Sequence, residues 1–312
     1  MASRLTGKAR ITYLTYIASA AFLRRAPEPI ARFTAAAVAL ATIRRRGMAT
    51  RMRVDHLRRV LRDGTGGEPD PKLVKRLTRQ AYRAYARYWV EGARLPVASP
   101  ELVHQRMWME SGLEHLATGM AAGAGVVMAL PHVGSWEWGG SFLDGIGYHM
   151  TAVAERLEPE QLYEWFIDQR SAMGLSIVPL DAEAGGLLIK TLRNGGLVGL
   201  LCDRDLIGNG VEVEFFGETT TLPAGPATLA LRTGATLITA AVYSGPGPNH
   251  HAIISAPIDT SRTGSFRTDV SRITQEIARH FEDYIGRAPE QWHMFQPNWP
   301  SDRTAEQARQ SG

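Results

Sequence analysis

The sequence predicts an α/β protein: a central, mainly parallel sheet with helices on both faces, preceded by a helical N-terminal region. Up to about residue 122 apolar residues recur at helical spacing, broken by Pro27 and Pro29 and by the Gly- and Pro-rich loop 63–71. Beyond residue 122 short apolar runs alternate with amphipathic stretches, a pattern that sets parallel strands between covering helices.

The first two helical stretches carry apolar runs at 11–23 and 30–43. The first, thirteen residues long, would reach about 20 Å as a helix, against about 30 Å for a bilayer core, so it is too short to span. A basic start and Ala18-Ser19-Ala20 give it a superficial likeness to a signal peptide, but two tyrosines and two threonines in the stretch argue against cleavage. The segment 72–94 carries the stripe Leu73, Leu77, Tyr82, Tyr85, Tyr88 and Trp89, read as core packing. Strands are then expected at 125–130, 150–154, 176–179, 197–202, 211–215, 236–243 and 251–255. Helices are expected at 136–146, 159–173, 183–193, 224–233 and 267–286. The expected organisation is a basic amphipathic segment over 1–60, an α/β domain over 61–300 and a polar tail over 301–312.

With 312 residues, 44% hydrophobic and 21% charged, the chain is long enough and apolar enough for one large globular domain. A single cysteine excludes a disulfide framework, and Cys202, at the end of an apolar run, reads as a buried, inert thiol. The net charge of +4 conceals an asymmetry, because residues 1–60 hold thirteen Lys or Arg against Glu28 and Asp55 alone. These cations bracket apolar runs, with Arg24-Arg25 after the first and Arg44-Arg45-Arg46 after the second. That arrangement suits an anionic membrane surface better than nucleic acid, and no nucleic-acid partner is expected.

The most informative stretch is Met128-Ala-Leu-Pro-His132-Val-Gly-Ser-Trp136-Glu137-Trp-Gly-Gly140. An apolar strand ends at Pro131, Ser135 has the look of a helix cap, and His132 is left at a strand tip. In open α/β sheets ligands gather outside the carboxyl ends of strands. Glu137, in the first turn of the next helix, is placed to hold one imidazole nitrogen while the other accepts a proton from a substrate hydroxyl. The competing reading makes Glu137 an ordinary acid at a helix N-terminus. The glycines and tryptophans around the pair suit a ligand approached closely by backbone and walled from water.

Four further segments have the look of site loops: the strand tips Glu155-Arg156 and Cys202-Asp203-Arg204-Asp205, the aromatic turn Phe215-Phe216-Gly217-Glu218 leading into Pro223-Ala-Gly-Pro226, and the aromatic-rich terminus from Trp292-His293 to Pro297. There is no G-x-S-x-G elbow, P-loop or G-x-G-x-x-G after a strand, and His250-His251 are adjacent in a polar loop, so no metal or cofactor is expected.

Over roughly residues 75–300 these segments together resemble the bacterial lipid acyltransferase family that includes the lipid A lauroyl and myristoyl transferases, most of all its actinobacterial branch, the phosphatidylinositol mannoside acyltransferases. The likeness rests on the ordered set Ala84 to Trp89, Ala129-Leu-Pro-His132 with Trp136-Glu137, Val153-Ala-Glu-Arg-Leu157 with Pro159, Asp203-Arg204-Asp205, Phe215-Phe-Gly217, Pro223 to Ala227, and Trp292-His293 with Gln296-Pro297. The resemblance implies transfer of a fatty acyl group, palmitoyl being the expected one, from acyl-CoA or an acyl-carrier protein to a mannose hydroxyl of phosphatidylinositol mannoside. The basic and apolar segment 1–60 is then expected to attach the protein peripherally at the cytoplasmic face of the cell membrane. The family's H-x4-D/E motif falls on His132 and Glu137, and a second acid of the mannoside branch falls on Asp203; which carboxylate orients His132 stays open at this point. Arg156, Arg170 and Arg204, with Glu155 and His293, are then candidates for binding the acceptor, and Trp136 and Phe215 for bordering the acyl groove. With no activated Ser or Cys beside His132, direct transfer in a ternary complex is expected. Alternatives are acylation of lipid A, or a non-enzymatic lipid-binding protein on the same scaffold.

Overall fold

The computed structural model describes residues 7–45, 47–62 and 67–304; residues 1–6, Arg46, the start of the loop 63–71 and most of the polar tail lie outside the described residues. Four helices come first, α1 (Gly7–Arg25), α2 (Glu28–Arg44), α3 (Met48–Leu61) and α4 (Pro71–Arg94). Then follow α5 (Pro100–Arg106), β1 (Met107–Ser111), α6 (Leu113–Ala121), β2 (Val126–Leu130), α7 (Trp136–Gly145), β3 (Met150–Ala154), α8 (Glu160–Ser171), β4 (Leu175–Pro179) and α9 (Ala184–Arg193). The rest comprises β5 (Leu197–Leu201), β6 (Val211–Phe215), β7 (Glu218–Leu222), α10 (Gly225–Thr233), β8 (Thr236–Ser244), β9 (His250–Ile254) and α11 (Phe266–Arg287).

Seven strands form one sheet in the order β1-β9-β8-β2-β5-β3-β4. All neighbours are parallel except β8 and β9, which run antiparallel. The central strand β2 is buried along its whole length because both faces are covered. Its side chains alternate accordingly. Val127 and Ala129 join the layer of α9, α10 and α11, whereas Val126, Met128 and Leu130 join that of α5, α6 and α7.

The structure adds two strands that local pattern did not predict. Met107–Ser111 continues a helical stretch in sequence but pairs with β9 at the sheet edge, so tertiary pairing overrides local preference. The segment after Phe215, expected to be a turn leading into a helix, is β7, which closes an antiparallel hairpin with β6 apart from the main sheet. Its turn residues Phe216 and Gly217 both have positive φ, 52° and 72°, as a tight hairpin turn demands. A phenylalanine at the first position hides the signal, and here its backbone N–H is held by the carboxylate of Glu282.

Among the described residues, the N-terminal helices α1, α2 and α3 contact the rest of the chain. In α3, Met52, Arg53, His56 and Leu57 are fully buried. His56 Nε2 lies 2.9 Å from Asp302 Oδ2, which ties α3 to the C-terminal stretch. Helices α1 and α2 pack on α4, and the Arg94 guanidinium donates to the backbone carbonyls of Leu23 and Ala26 at the α1–α2 junction. Their outer faces are nonetheless apolar and open, with Ile11 68%, Phe33 74% and Val38 69% exposed. Among the described residues no helix is long and apolar enough to cross a membrane.

Candidate active site

The site begins with strand register. β2 and β5 are parallel neighbours whose last paired residues are Leu130 and Leu201. The ladder continues one step, since Cys202 N–H donates to the Leu130 carbonyl at 3.0 Å. Two residues past that last pair, His132 and Asp203 therefore stand side by side at the carboxyl end of the sheet. His132 Nδ1–H donates to Asp203 Oδ1 at 2.5 Å, and the His132 backbone N–H donates to Oδ2 at 2.9 Å. The carboxylate holds Nδ1 and leaves Nε2 without a protein partner among the described residues, on an imidazole 31% exposed to the cleft.

Asp203 is fully buried. Burial, the largest single influence, would raise its carboxyl pKa, but the lowering effects of His132, through charge and hydrogen bonds, and of the Trp292 indole N–H, which donates to Oδ2 at 2.7 Å, together outweigh it and the direction is down. Asn298 Nδ2 donates to the Asp203 backbone carbonyl at 3.1 Å and steadies the tip from below.

Glu137 holds a different partner from the one expected. Its Oε1 accepts from Tyr88 Oη at 2.8 Å and from Arg170 at 3.3 Å, while Oε2 is buried with no hydrogen-bond partner. The reason is the path of the chain. Gly134, at φ +58°, turns the backbone away from His132, and a short bridge to Val242 then sets α7 with the Glu137 side chain toward α4 and α8. The Ser135 hydroxyl, expected as a cap, makes no cap bond. Gly139 and Gly140, expected to make room for a ligand, instead let α7 press on the sheet. An added Cβ would meet Val242 Cγ2 at 2.6 Å at the first and Leu175 Cδ2 at 2.7 Å at the second.

A cleft of about 580 Å³ opens over His132, walled by α1, α4, α7, α8 and the C-terminal segment. Trp136, Glu137, Arg170, Arg204 and His293 all line it. The Arg170 guanidinium sits 5.3 Å from the Trp136 ring centroid, and Arg204 is held by Gln296. His293 Nε2–H donates to the Gly134 carbonyl at 2.9 Å, and its Nδ1 is buried with no partner. Burial, opposed by that bond, pushes the His293 pKa down to about 3, so the ring is neutral.

Three expected binding residues lie elsewhere. Glu155 and Arg156 are exposed and do not line the cleft; Arg156 pairs loosely with Glu160 and Asp181 at 3.6 and 3.8 Å, because the loop after β3 turns outward. Phe215 is fully buried, stacked on Trp299 with ring centroids 5.6 Å apart, since β6 belongs to the hairpin under the site and not to its mouth. In their place the structure brings in Tyr88, read from its stripe as core, and Trp292, whose indole reaches Asp203. Helical spacing put Tyr85, Tyr88 and Trp89 on one stripe, but only tertiary structure makes that stripe a cleft wall. A second, apolar groove of about 780 Å³ lies on the other side of α1, between α2 and α4, and shares Ser19, Leu23, Tyr85, Trp89 and Phe295 with the cleft.

Residues 3–301 match the family of bacterial lipid A biosynthesis acyltransferases. The chain is 34% identical to a phosphatidylinositol mannoside acyltransferase of Mycolicibacterium smegmatis over 315 aligned residues, covering 100% of this chain and 99% of the relative. It is 40% identical to the protein of the same name from Mycobacterium tuberculosis, strains CDC 1551 / Oshkosh and ATCC 25618 / H37Rv, over 255 residues, 79% of this chain and 76% of the relative. The chain belongs to the bacterial lipid A biosynthesis acyltransferase family and is an acyltransferase.

Proposed function

We propose that the chain moves a fatty acyl group, palmitoyl in the first instance, from acyl-CoA to a mannose hydroxyl of phosphatidylinositol mannoside, with His132 as general base. The observation that carries this reading is the 2.5 Å Nδ1–Oδ1 bond between His132 and buried Asp203, which aims a free Nε2 into a largely apolar cleft. Nε2 takes the hydroxyl proton as the sugar oxygen attacks the thioester carbonyl. The C–S bond then breaks, and the departing sulfur receives the proton from the imidazolium, whose charge Asp203 balances meanwhile. Base assistance of this kind contributes on the order of 10²–10⁴ in rate.

Two features support direct transfer without an acyl-enzyme. Cys202 is buried, and burial followed by the Asp203 charge pushes its thiol pKa well up. Ser135 is 1% exposed and its hydroxyl has no base within hydrogen-bond reach. The cationic Arg170 and Arg204 are placed for the acceptor's phosphate or hydroxyls. Open apolar faces on α1 and α2 support attachment of the protein to the cytoplasmic leaflet as a peripheral protein.

Mass spectrometry of wild type and His132→Ala, incubated with palmitoyl-CoA and phosphatidylinositol mannosides in detergent, tests the reading. A palmitoyl mass gain with wild type only is expected. Comparable gain with a folded His132→Ala would sink the base assignment, and acylation of a lipid A precursor in preference to the mannosides would sink the acceptor assignment. Acyl-CoA binding without product on any acceptor would leave a lipid-binding protein.

A further inference from the structure

The exposed face of α4 carries Lys72, Lys75, Arg76, Arg79 and Arg83, which with Gln80 line a shallow depression of about 340 Å³. All five cations are exposed, and among the described residues none makes an ion pair or side-chain hydrogen bond. The acid nearest in sequence on the same helix is Glu91, which is buried and pairs with Arg87 and Arg32. Five like charges on successive turns repel one another, so the row costs stability unless an anionic partner offsets it.

Its position points to the partner. Lys75, Arg79, Tyr82 and Ala86 fall at i, i+4, i+7 and i+11, one face of the helix. Tyr82 and Ala86 floor the apolar groove that also holds Phe22 of α1 and Val38 and Thr42 of α2, so the basic row starts where the packing of α2 on α4 ends. Helix α2 finishes there too, and its last residue Arg44 and the capping Arg45 are exposed. An apolar surface with Phe22 48%, Phe33 74% and Val38 69% exposed thus continues into a row of cations about 17 Å long. An anionic bilayer has both complements, hydrocarbon and phosphate, whereas a soluble acidic protein would match the cations and leave the phenylalanines in water.

We propose that Lys72, Lys75, Arg76, Arg79 and Arg83 bind the phosphate headgroups of an anionic bilayer and, together with α1 and α2, set the angle at which the cleft meets its lipid substrate. This rests on the docking of α1 and α2 proposed above, and it gives α4 a second role beside that of cleft wall.

The test uses the full chain in which all five residues are changed to Gln, floated with vesicles of phosphatidylcholine alone or with phosphatidylglycerol added. Binding to the anionic vesicles should fall roughly 10²-fold or more and lose its salt dependence, while weak binding to neutral vesicles persists. Turnover of detergent-dispersed acceptor should not change, which separates this contact from the reaction itself. Unchanged, salt-insensitive binding to anionic vesicles would overturn the proposal. So would intact vesicle binding with slowed turnover only when the acyl group arrives on an acyl-carrier protein, since the row would then serve an acidic protein. A second variant, Phe33→Ser with Val38→Ser, should weaken binding to both vesicle types. If it does not, the apolar docking of α1 and α2 fails while the headgroup contact stands.

Discussion

His132 and Asp203 lie 71 positions apart in sequence, yet they occupy equivalent places on adjacent parallel strands, two residues beyond the pair Leu130 and Leu201. The carboxylate that orients the His132 imidazole therefore comes from the tip after β5 and not from the neighbouring helix turn.

This relationship separates the two acids by experiment. Asp203→Asn should lower kcat by about 10²-fold or more at unchanged fold, because the imidazole loses its fixed tautomer and the balancing charge. Glu137→Gln, which touches Tyr88 and Arg170 and not His132, should act mainly on KM for the acceptor. Steady-state kinetics of both variants decides, and equal kcat losses would contradict the division of roles.

Trp292→Phe keeps an aromatic ring, though a smaller one, and removes the 2.7 Å indole donation to Asp203 Oδ2. A hydrogen bond to a buried charge is worth about 1.5–3 kcal/mol, so a lower melting temperature and roughly 10-fold slower turnover are expected. Calorimetry together with the acyl-transfer assay reads both effects.

Tyr88→Phe leaves Glu137 buried, with Oε2 already without a partner and Oε1 held by Arg170 alone. The expected loss of stability is about 1–3 kcal/mol, measured by urea denaturation. A neutral result would mean that water replaces the phenol, and that the cleft is wetter at its floor than its lining suggests.

Gly134→Ala is expected to unseat the base. The residue has φ +58°, and an added Cβ would stand 2.0 Å from the Val242 carbonyl oxygen, so the backbone between His132 and α7 has to move. A destabilisation of about 2 kcal/mol or more with severe loss of activity should follow. Thermal melting and the transfer assay check it.

His250 gives a pH prediction. It is fully buried, stacked on Trp138 with ring centroids 4.4 Å apart, and burial, with help from Arg87, pushes its pKa down to about 3. As pH falls below about 6.5 the unfolded chain takes up a proton that the folded chain refuses, so stability declines by about 1.4 kcal/mol per pH unit from this group. Glu91 has the opposite sign: burial raises its pKa despite Arg87, and its folded form protonates first, which offsets part of the loss nearer pH 4.5. Melting temperatures at pH 7.5 and 5.5 should differ less in His250→Phe than in wild type.

Local pattern carries the class of fold, the order of most elements and the strand tip that bears His132. These depend on local period, on Pro131 stopping a strand and on glycines at turns, all written along a few consecutive residues. It also showed His132 and Asp203 each as a residue just past an apolar run. What it did not hold was that β5 lies next to β2, because strand order in a parallel sheet is chosen by the packing of crossover helices on both faces and leaves no local mark. Tertiary structure alone therefore decided that Asp203 and not Glu137 grips the imidazole, that Tyr88 lines the cleft, that the Trp292 indole reaches Asp203, and that Phe215 at the end of β6 lies in the core. It also made α1 a wall of the cleft. Its apolar run read as a membrane surface, yet Tyr16, Ser19 and Ala20 line the space over His132 while Ile11, Leu14 and Phe22 face out. A helix apolar on every side must bury one side against its neighbours, and which side it buries is settled only when the neighbours are in place.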